Sequence, residues 1–240
     1  MSALPLVLLH GWGTHPGVWS DVIARLDLGQ PVSAPDIAAH GAATVEQAVD
    51  RLAAAAPGRC VVAGWSLGGQ LALAWAHRHP QQVARLVLIA TTPRFTAAAD
   101  WPHGMAPAAL DGFGAALVAD PAATLRRFLM LESQGDAQAR AVARQLDALL
   151  QARPEPAADA LQTMLDWLRY TDLRPLLGAV TQPALVVHGD RDRITPMAAG
   201  AHLAAVLPQA RLEIVEGAAH APFISAAPAV AGLIGGFCRA

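Results

Sequence analysis

The stretch from Cys60 to His79 limits the possible folds more than any other. An apolar, strand-like run from Cys60 to Ala63 leads into Gly64-Trp65-Ser66-Leu67-Gly68-Gly69, and a helical pattern from Leu67 to His79 follows at once, stopped by Pro80. A serine held between a buried strand and a helix sits on a sharp turn with its Oγ exposed, and small residues on both sides relieve the crowding. Gly64 and Gly68 occupy those positions. The helix also turns the positive end of its dipole toward negative charge developing beside the serine. G-x-S-x-G alone could be a glycine-rich turn with an incidental serine; strand, motif and helix in this order point to a nucleophile.

The rest of the chain repeats the alternation. Leu4 to Leu9, Val32 to Ala34, Val83 to Ile89, Ala184 to His188 and Leu212 to Val215 read as strands; Val18 to Leu26, Val45 to Ala56, Met197 to Leu207 and Pro228 to Cys238 read as helices. The strand runs are continuously apolar, as expected of a parallel sheet covered on both faces. From about Phe95 to Leu177 no strand is evident, only helical patterns punctuated by Pro102, Pro107, Pro121, Pro154 and Pro156. The expectation is one α/β domain: residues 1–94 and 178–240 form the core, and 95–177 an inserted all-helical cap over the end of the sheet.

A hydroxyl nucleophile needs a base, an acid that orients it and donors for an oxyanion. In this strand order the base comes last. Of nine histidines, His77 and His79 lie behind the serine, His188 is inside a strand and His202 in a helix. His220 instead follows the last strand in a loop of small residues, Glu216-Gly217-Ala218-Ala219-His220-Ala221-Pro222-Phe223. The acid should follow the strand ending at His188, where Gly189-Asp190-Arg191-Asp192 offers two carboxylates. Asp36 comes too early and is expected to order its own loop. One oxyanion donor is the N–H of Leu67; His10-Gly11-Trp12-Gly13, directly after the first strand, offers Trp12 as the second.

Other chemistries find little footing. H-E-x-x-H, the G-x-x-x-x-G-K-[ST] loop and a strand-linked G-x-G-x-x-G followed by an acidic residue do not occur, so no metal and no cofactor are expected. A net charge of -2 without any lysine-rich tract gives nucleic acid no seat. Hydrophobic residues make up 54% of the chain, yet no apolar run approaches the roughly 20 residues of a membrane span. Met1-Ser2-Ala3-Leu4-Pro5 has no basic n-region, and Cys60 and Cys238 form no disulfide framework. A monomer in the cytoplasm is the expectation.

His10-Gly11-Trp12-Gly13, Gly64 to Gly69, Asp100-Trp101-Pro102, Arg127-Phe128-Leu129-Met130-Leu131, Thr171-Asp172-Leu173-Arg174 and Ala218 to Ser225 together resemble the BioH family, the pimeloyl-[acyl-carrier protein] methyl ester esterases of biotin synthesis. The resemblance spans nearly the whole chain, and the matches within 95–177 narrow it beyond the α/β-hydrolase fold. It implies hydrolysis of a methyl ester on carrier-bound pimeloyl, with release of methanol. It also implies that Trp12, Leu67 and Phe128, Leu129, Met130, Leu131 and Glu132 line the substrate channel, and that arginines of the cap meet the acidic carrier protein. The hydrolase pattern G-x-x-D-x-x-x-P fits Gly189, Asp192 and Pro196, which favours Asp192 over Asp190. The chain departs from its relatives in the loop after Asp36, where Ile37-Ala38-Ala39-His40-Gly41 replaces a Gly-x-Gly-x-Ser pattern, and in the short segment ahead of the first strand.

Charge in the cap supports an acidic partner on its own terms. Between Ala122 and Arg153, Arg126, Arg127, Arg140, Arg144 and Arg153 outnumber Glu132, Asp136 and Asp147. Arg140 and Arg144 lie one helical turn apart and share a face. Arg127, Arg140 and Arg144 are the candidate carrier contacts, although a solvated helix face would read the same. Leu125, Phe128, Leu129 and Leu131 fit either packing within the cap or the lining of an acyl channel. A general short-chain carboxylesterase or lactonase, and an inactive hydrolase-like binding module, remain alternatives at this stage.

Overall fold

A computed structural model describes residues 4–26, 29–152 and 157–240, without the side chains of Ala39 and His40. Arg153, Pro154 and Pro156 lie outside the described residues, as do Met1, Ser2 and Ala3. Six strands, β1 (Leu6–Leu9), β2 (Val32–Ser33), β3 (Cys60–Trp65), β4 (Val83–Ile89), β5 (Ala184–Gly189) and β6 (Ala210–Val215), form one sheet in the order β2-β1-β3-β4-β5-β6. Every neighbouring pair is parallel. The chain runs outward from β1 to β2 and then crosses back to β3, so the strand order reverses beside β1, where ligands gather at the carboxyl ends of the strands.

Side-chain alternation explains why the inner strands are largely apolar, while the edge strand β6 carries Arg211 and Glu213. Leu6, Leu8, Val61, Ala63, Val87, Ile89, Leu185 and Val187 face a core shared with the helices α1 (Ser20–Ile23), α9 (Pro222–Ser225) and α10 (Ala227–Arg239). Val7, Leu9, Val62, Leu86, Leu88 and Val186 face the opposite core, shared with α2 (Val45–Ala55), α3 (Leu67–Arg78) and α8 (Met197–Val206). Both faces are covered, so polar side chains on the inner strands are few and, like His188 of β5, keep hydrogen-bond partners of their own. The expected helix over Val18 to Leu26 is instead a 3-10 turn, Pro16–Trp19, followed by the short α1. His15 explains the difference: its Nδ1 accepts from the Gly17 N–H at 3.0 Å and winds the turn tightly. Trp19 then packs on Phe223, 4.5 Å between ring centroids.

Between β4 and β5 the described chain first turns through isolated bridges, Thr96 with Met105 and Ala98 with Trp101, and is then mainly helical: α4 (Pro107–Ala119), α5 (Pro121–Glu132), α6 (Ala139–Gln151) and α7 (Ala158–Tyr170), with a 3-10 helix Arg174–Ala179 leading into β5. Pro107 and Pro121 begin helices rather than break them, because the first turn has no use for their missing N–H. The segment's two ends are stapled together. Leu173 N–H donates to Pro93 O at 2.9 Å, Arg94 pairs with Asp172 at 2.8 Å, and Arg174 reaches Asp172 at 2.7 Å and Asp100 at 3.0 Å. Trp101 completes the staple through its indole N–H, 2.9 Å from Arg94 O. No helix among the described residues is long and apolar enough to cross a membrane.

Candidate active site

Ser66 sits between the last residue of β3 and the first of α3, with φ 54° and ψ −118°, a backbone conformation L-residues avoid. The turn needs the flanking glycines. A Cβ at Gly64 would collide with the Gly68 carbonyl, and one at Gly68 with the carbonyls of Leu9 and His10. Backbone hydrogen bonds hold the turn: Ser66 N–H donates to Ile89 O at 3.0 Å, and Thr91 Oγ1 donates to Ser66 O at 2.6 Å.

His220 follows β6 on the loop that crosses back over the sheet, and it is 1% exposed. Its Nε2 accepts from Ser66 Oγ at 3.0 Å, and its Nδ1–H donates to Asp192 Oδ2 at 2.8 Å. The ring is fixed by its own peptide. His220 O accepts from the Trp65 indole at 2.8 Å, and His220 N–H donates to Glu132 O at 3.2 Å.

Asp192, on the loop after β5, has its side chain wholly buried. Oδ1 accepts from the N–H groups of Ile194 and Thr195 at 2.9 and 3.0 Å, and Thr195 Oγ1 lies 2.8 Å from Oδ2. His188, buried at the end of β5, approaches Oδ2 to 3.4 Å while its Nε2–H donates to Thr195 O at 2.7 Å. Burial by itself would raise the Asp192 carboxyl, but the nearby His220 charge and the hydrogen bonds from His188 and His220 hold it well below the usual carboxylate range. Asp190 is exposed and turned elsewhere, its Oδ1 accepting from the Gly217 N–H at 2.6 Å. The structure therefore brings Asp192, not Asp190, to the imidazole.

Leu67 follows Ser66 directly, and the loop that carries Trp12 lies against the same turn: a Cβ at Gly11 would touch the Trp65 ring, and one at Gly68 the His10 carbonyl. Among the described residues, the backbone N–H of neither Trp12 nor Leu67 finds an acceptor; for Leu67 this follows from its place in the first turn of α3. The Trp12 loop is set by His10, whose Nδ1–H donates to Gly11 O at 2.9 Å while Nε2 accepts from the Ile37 N–H at 3.1 Å. Asp36 orders its own loop, accepting from the Ala38 N–H at 3.0 Å. The Trp12 indole is buried, donates to Leu161 O at 3.0 Å and meets Phe128 and Phe113 edge-on, 4.9 and 5.3 Å between centroids. It thereby joins the sheet to α4, α5 and α7.

Along α5 the expected channel residues divide by helical face. Phe128 packs on Trp12, Leu129 is buried in the other core with Val142 and Leu146, and Met130 and Leu131 lie on the exposed side, Met130 69% exposed. Glu132, the last residue of α5, is buried, and among the described residues its Oε2 has no partner. Burial first, and the nearby Asp192 charge second, push its carboxyl well above the usual range. Arg127, Arg140 and Arg144 are exposed, and none forms an ion pair within the described residues. Thr195 drew no notice in the sequence, and Asp136 counted only as one of the acidic residues set against the arginines of its segment. Thr195 sits three residues after Asp192, the spacing of a side chain that caps its own loop. Asp136 meets its partner, Ala219, 83 positions further along the chain.

An α/β-hydrolase fold family model matches residues 5–227. The pimeloyl-[acyl-carrier protein] methyl ester esterase of Aromatoleum aromaticum is 44% identical over 94% of this chain and 94% of its own length. The proteins of that name from Nitrosomonas europaea and Xanthomonas campestris pv. campestris are 41% and 42% identical, over 92% and 94% of this chain and 90% and 91% of theirs. Among solved structures, an esterase from Exiguobacterium antarcticum superposes with a TM-score of 0.85 at 20% identity, covering 100% of this chain and 93% of that one. An enol-lactonase from Burkholderia xenovorans LB400 superposes with a TM-score of 0.83 at 22% identity over 100% and 93%. These two speak for the fold alone. With the serine turn, the parallel sheet and full-length relatives in agreement, the chain belongs to the α/β-hydrolase family and, within it, to the family of the pimeloyl-[acyl-carrier protein] methyl ester esterases.

Proposed function

We propose that this protein hydrolyses the methyl ester of pimeloyl-[acyl-carrier protein], yielding pimeloyl-[acyl-carrier protein] and methanol, with Ser66 as nucleophile, His220 as general base and Asp192 as the acid that orients it. The observation that carries the reading is the unbroken hydrogen-bonded line from Ser66 Oγ through His220 to a buried, ionised Asp192. In the first step His220 Nε2 takes the hydroxyl proton as Ser66 Oγ bonds to the ester carbonyl carbon. The N–H groups of Trp12 and Leu67, joined by the N-terminal dipole of α3, hold the resulting oxyanion. Protonated His220 then gives its proton to the methoxy oxygen, methanol leaves, and an acyl-enzyme remains. Water, deprotonated by His220, attacks that ester, and Ser66 recovers its proton as the acid departs.

Residues 95–177 act in this reading as the cap. Trp12, Leu67 and the stretch Phe128 to Glu132 bound the acyl chain, and Arg127, Arg140 and Arg144 receive the carrier protein. The exposed arginines, without an ion pair among the described residues, support that docking face, as do the names of the relatives. One chain supplies every group, which supports a monomer. Cys60 and Cys238, free and with thiols pushed up to about 11 by burial, fit a reducing cytoplasm.

The test compares carrier-bound pimeloyl methyl ester with free monomethyl pimelate, using wild type and Ser66→Ala purified from an esterase-deficient host. Hydrolysis favouring the carrier-bound ester, lost in Ser66→Ala, and restored growth of a biotin auxotroph lacking this activity are expected. Equal efficiency on both esters would make the protein a general short-chain carboxylesterase. Failure of a fluorophosphonate to label Ser66 would leave an inactive binding module.

A further inference from the structure

The segment between α5 and α6 lies against the loop that carries His220 and is bonded to it along its length. Ala137 N–H donates to Gly217 O at 2.8 Å, Ala219 N–H to Asp136 Oδ2 at 2.9 Å, and His220 N–H to Glu132 O at 3.2 Å. Asp136 is the central link and is 7% exposed. Its second oxygen, Oδ1, accepts from the Gln138 N–H at 2.7 Å, one residue before α6 begins. A single carboxylate thus joins the start of α6 to the peptide N–H immediately ahead of His220. On its other side the loop is held by Asp190, which takes the Gly217 N–H, and by Arg191 N–H donating to Ala218 O at 3.0 Å.

The geometry points to Asp136 as a positioning residue for His220, acting through the Ala219 peptide and touching no reacting atom. This inference rests on the proposed role of His220 as base. Ala219 is buried, so without Asp136 its N–H would have no acceptor and no water to replace one. The loop would then shift toward some other acceptor and carry the imbedded imidazole away from its 3.0 Å contact with Ser66 Oγ. Displacements of about 1 Å can cost roughly 100-fold in rate, because the proton must be taken as the bond forms. A positioning role therefore falls on kcat. A docking role for the same residue would fall on KM and on the carrier-bound substrate alone.

Asp136→Ser separates the two ends of the link. Its short hydroxyl still takes the Gln138 N–H in a local turn but does not reach Ala219. Measured on a small p-nitrophenyl ester and on the carrier-bound ester, its kcat is expected to fall about 10- to 100-fold on both, with KM nearly unchanged and the thermal transition retained. Asp136→Asn, which keeps the shape and one acceptor, should fall between wild type and serine. Wild-type kcat in Asp136→Ser overturns the inference, and so does a loss confined to KM for the carrier-bound ester. If the serine variant does not fold, Asp136→Asn decides, with wild-type kcat overturning the inference; failure of both to fold assigns Asp136 a structural role and overturns it too. Ser66→Ala measured alongside tells this apart from failure of the catalytic reading, since activity surviving in that variant would sink the reading itself.

Discussion

The direction of one proton decides whether the imidazole is a base. Asp192 Oδ2 accepts from His220 Nδ1–H, which leaves Nε2 unprotonated and facing Ser66 Oγ. Asp192→Asn would set an amide N–H against Nδ1 while its oxygen kept the Ile194 and Thr195 N–H groups. The ring would answer by moving its proton to Nε2, where it cannot receive the serine's. We expect kcat to fall about 10³- to 10⁴-fold in Asp192→Asn with little change in melting temperature. Asp190→Asn should cost little, because an amide oxygen still accepts from Gly217; steady-state kinetics showing the reverse ranking would move the orienting role to Asp190. Ser66 and His220 were legible in the sequence because glycines and alanines crowd around both, a local mark of a tight backbone. Asp192 needed the wider pattern ending at Pro196. Asp136 and Glu132 could not be read for these contacts, since each meets the His220 loop only after the chain has folded back across the sheet.

Elements fix the site by how closely they approach one another. The start of α3 leans on the end of β1 at Gly68, where a methyl group would meet the Leu9 and His10 carbonyls. Gly68→Ala must push α3 away from β1, at about 1–3 kcal/mol of stability, as overpacking commonly costs. It should also shift the Leu67 N–H from the place proposed for it beside the oxyanion. Calorimetry and turnover should therefore fall together, and full activity at unchanged stability would refute the close approach. The staple between Arg94, Asp100, Asp172 and Arg174 makes a separate prediction in acid. Hydrogen bonds from Arg174, outweighing burial and helped by Arg94, lower the Asp172 carboxyl to about 2, against roughly 3.9 in an unfolded chain. A depressed carboxyl adds stability that is present above the unfolded value and is lost as pH falls through the folded one. The stability difference between wild type and Asp172→Asn, read from urea midpoints, should shrink between about pH 4 and pH 2, and a difference constant across that range would discount the staple. Most strands were legible because burial on both faces makes them short, continuously apolar runs, and most helices because each buries one face of fixed period. The region from Val18 to Leu26 was not, because the imidazole of His15, rather than any apolar period, winds its first turn.

At the scale of the whole molecule, charge separates from chemistry. The chain carries a net charge of -2, yet Arg127 on α5 and Arg140 and Arg144 on α6 stand exposed with no ion pair among the described residues, while the buried Glu132 between them is held toward its neutral form. Arg140 and Arg144, one helical turn apart, put two positive charges on one exposed face of α6. The arginine excess was legible in the sequence, but its exposure and lack of partners were not, because a helical pattern alone does not say which face is covered. Such a face would speed and hold the approach of an acidic carrier without touching the reacting carbonyl. Reversing charge in Arg140→Glu with Arg144→Glu, or in Arg127→Glu, should raise KM for carrier-bound ester and leave a p-nitrophenyl ester nearly unaffected. Added salt should act in the same direction, since the Debye length is roughly 8 Å near 0.15 M and shortens further above it. The expected result is a kcat/KM that falls steeply with ionic strength for the carrier-bound substrate in wild type, falls less in the reversed variants, and is flat for the small ester throughout. Equal responses from both substrates would reduce the arginines to a solvated helix face and leave carrier recognition to the walls of the acyl channel.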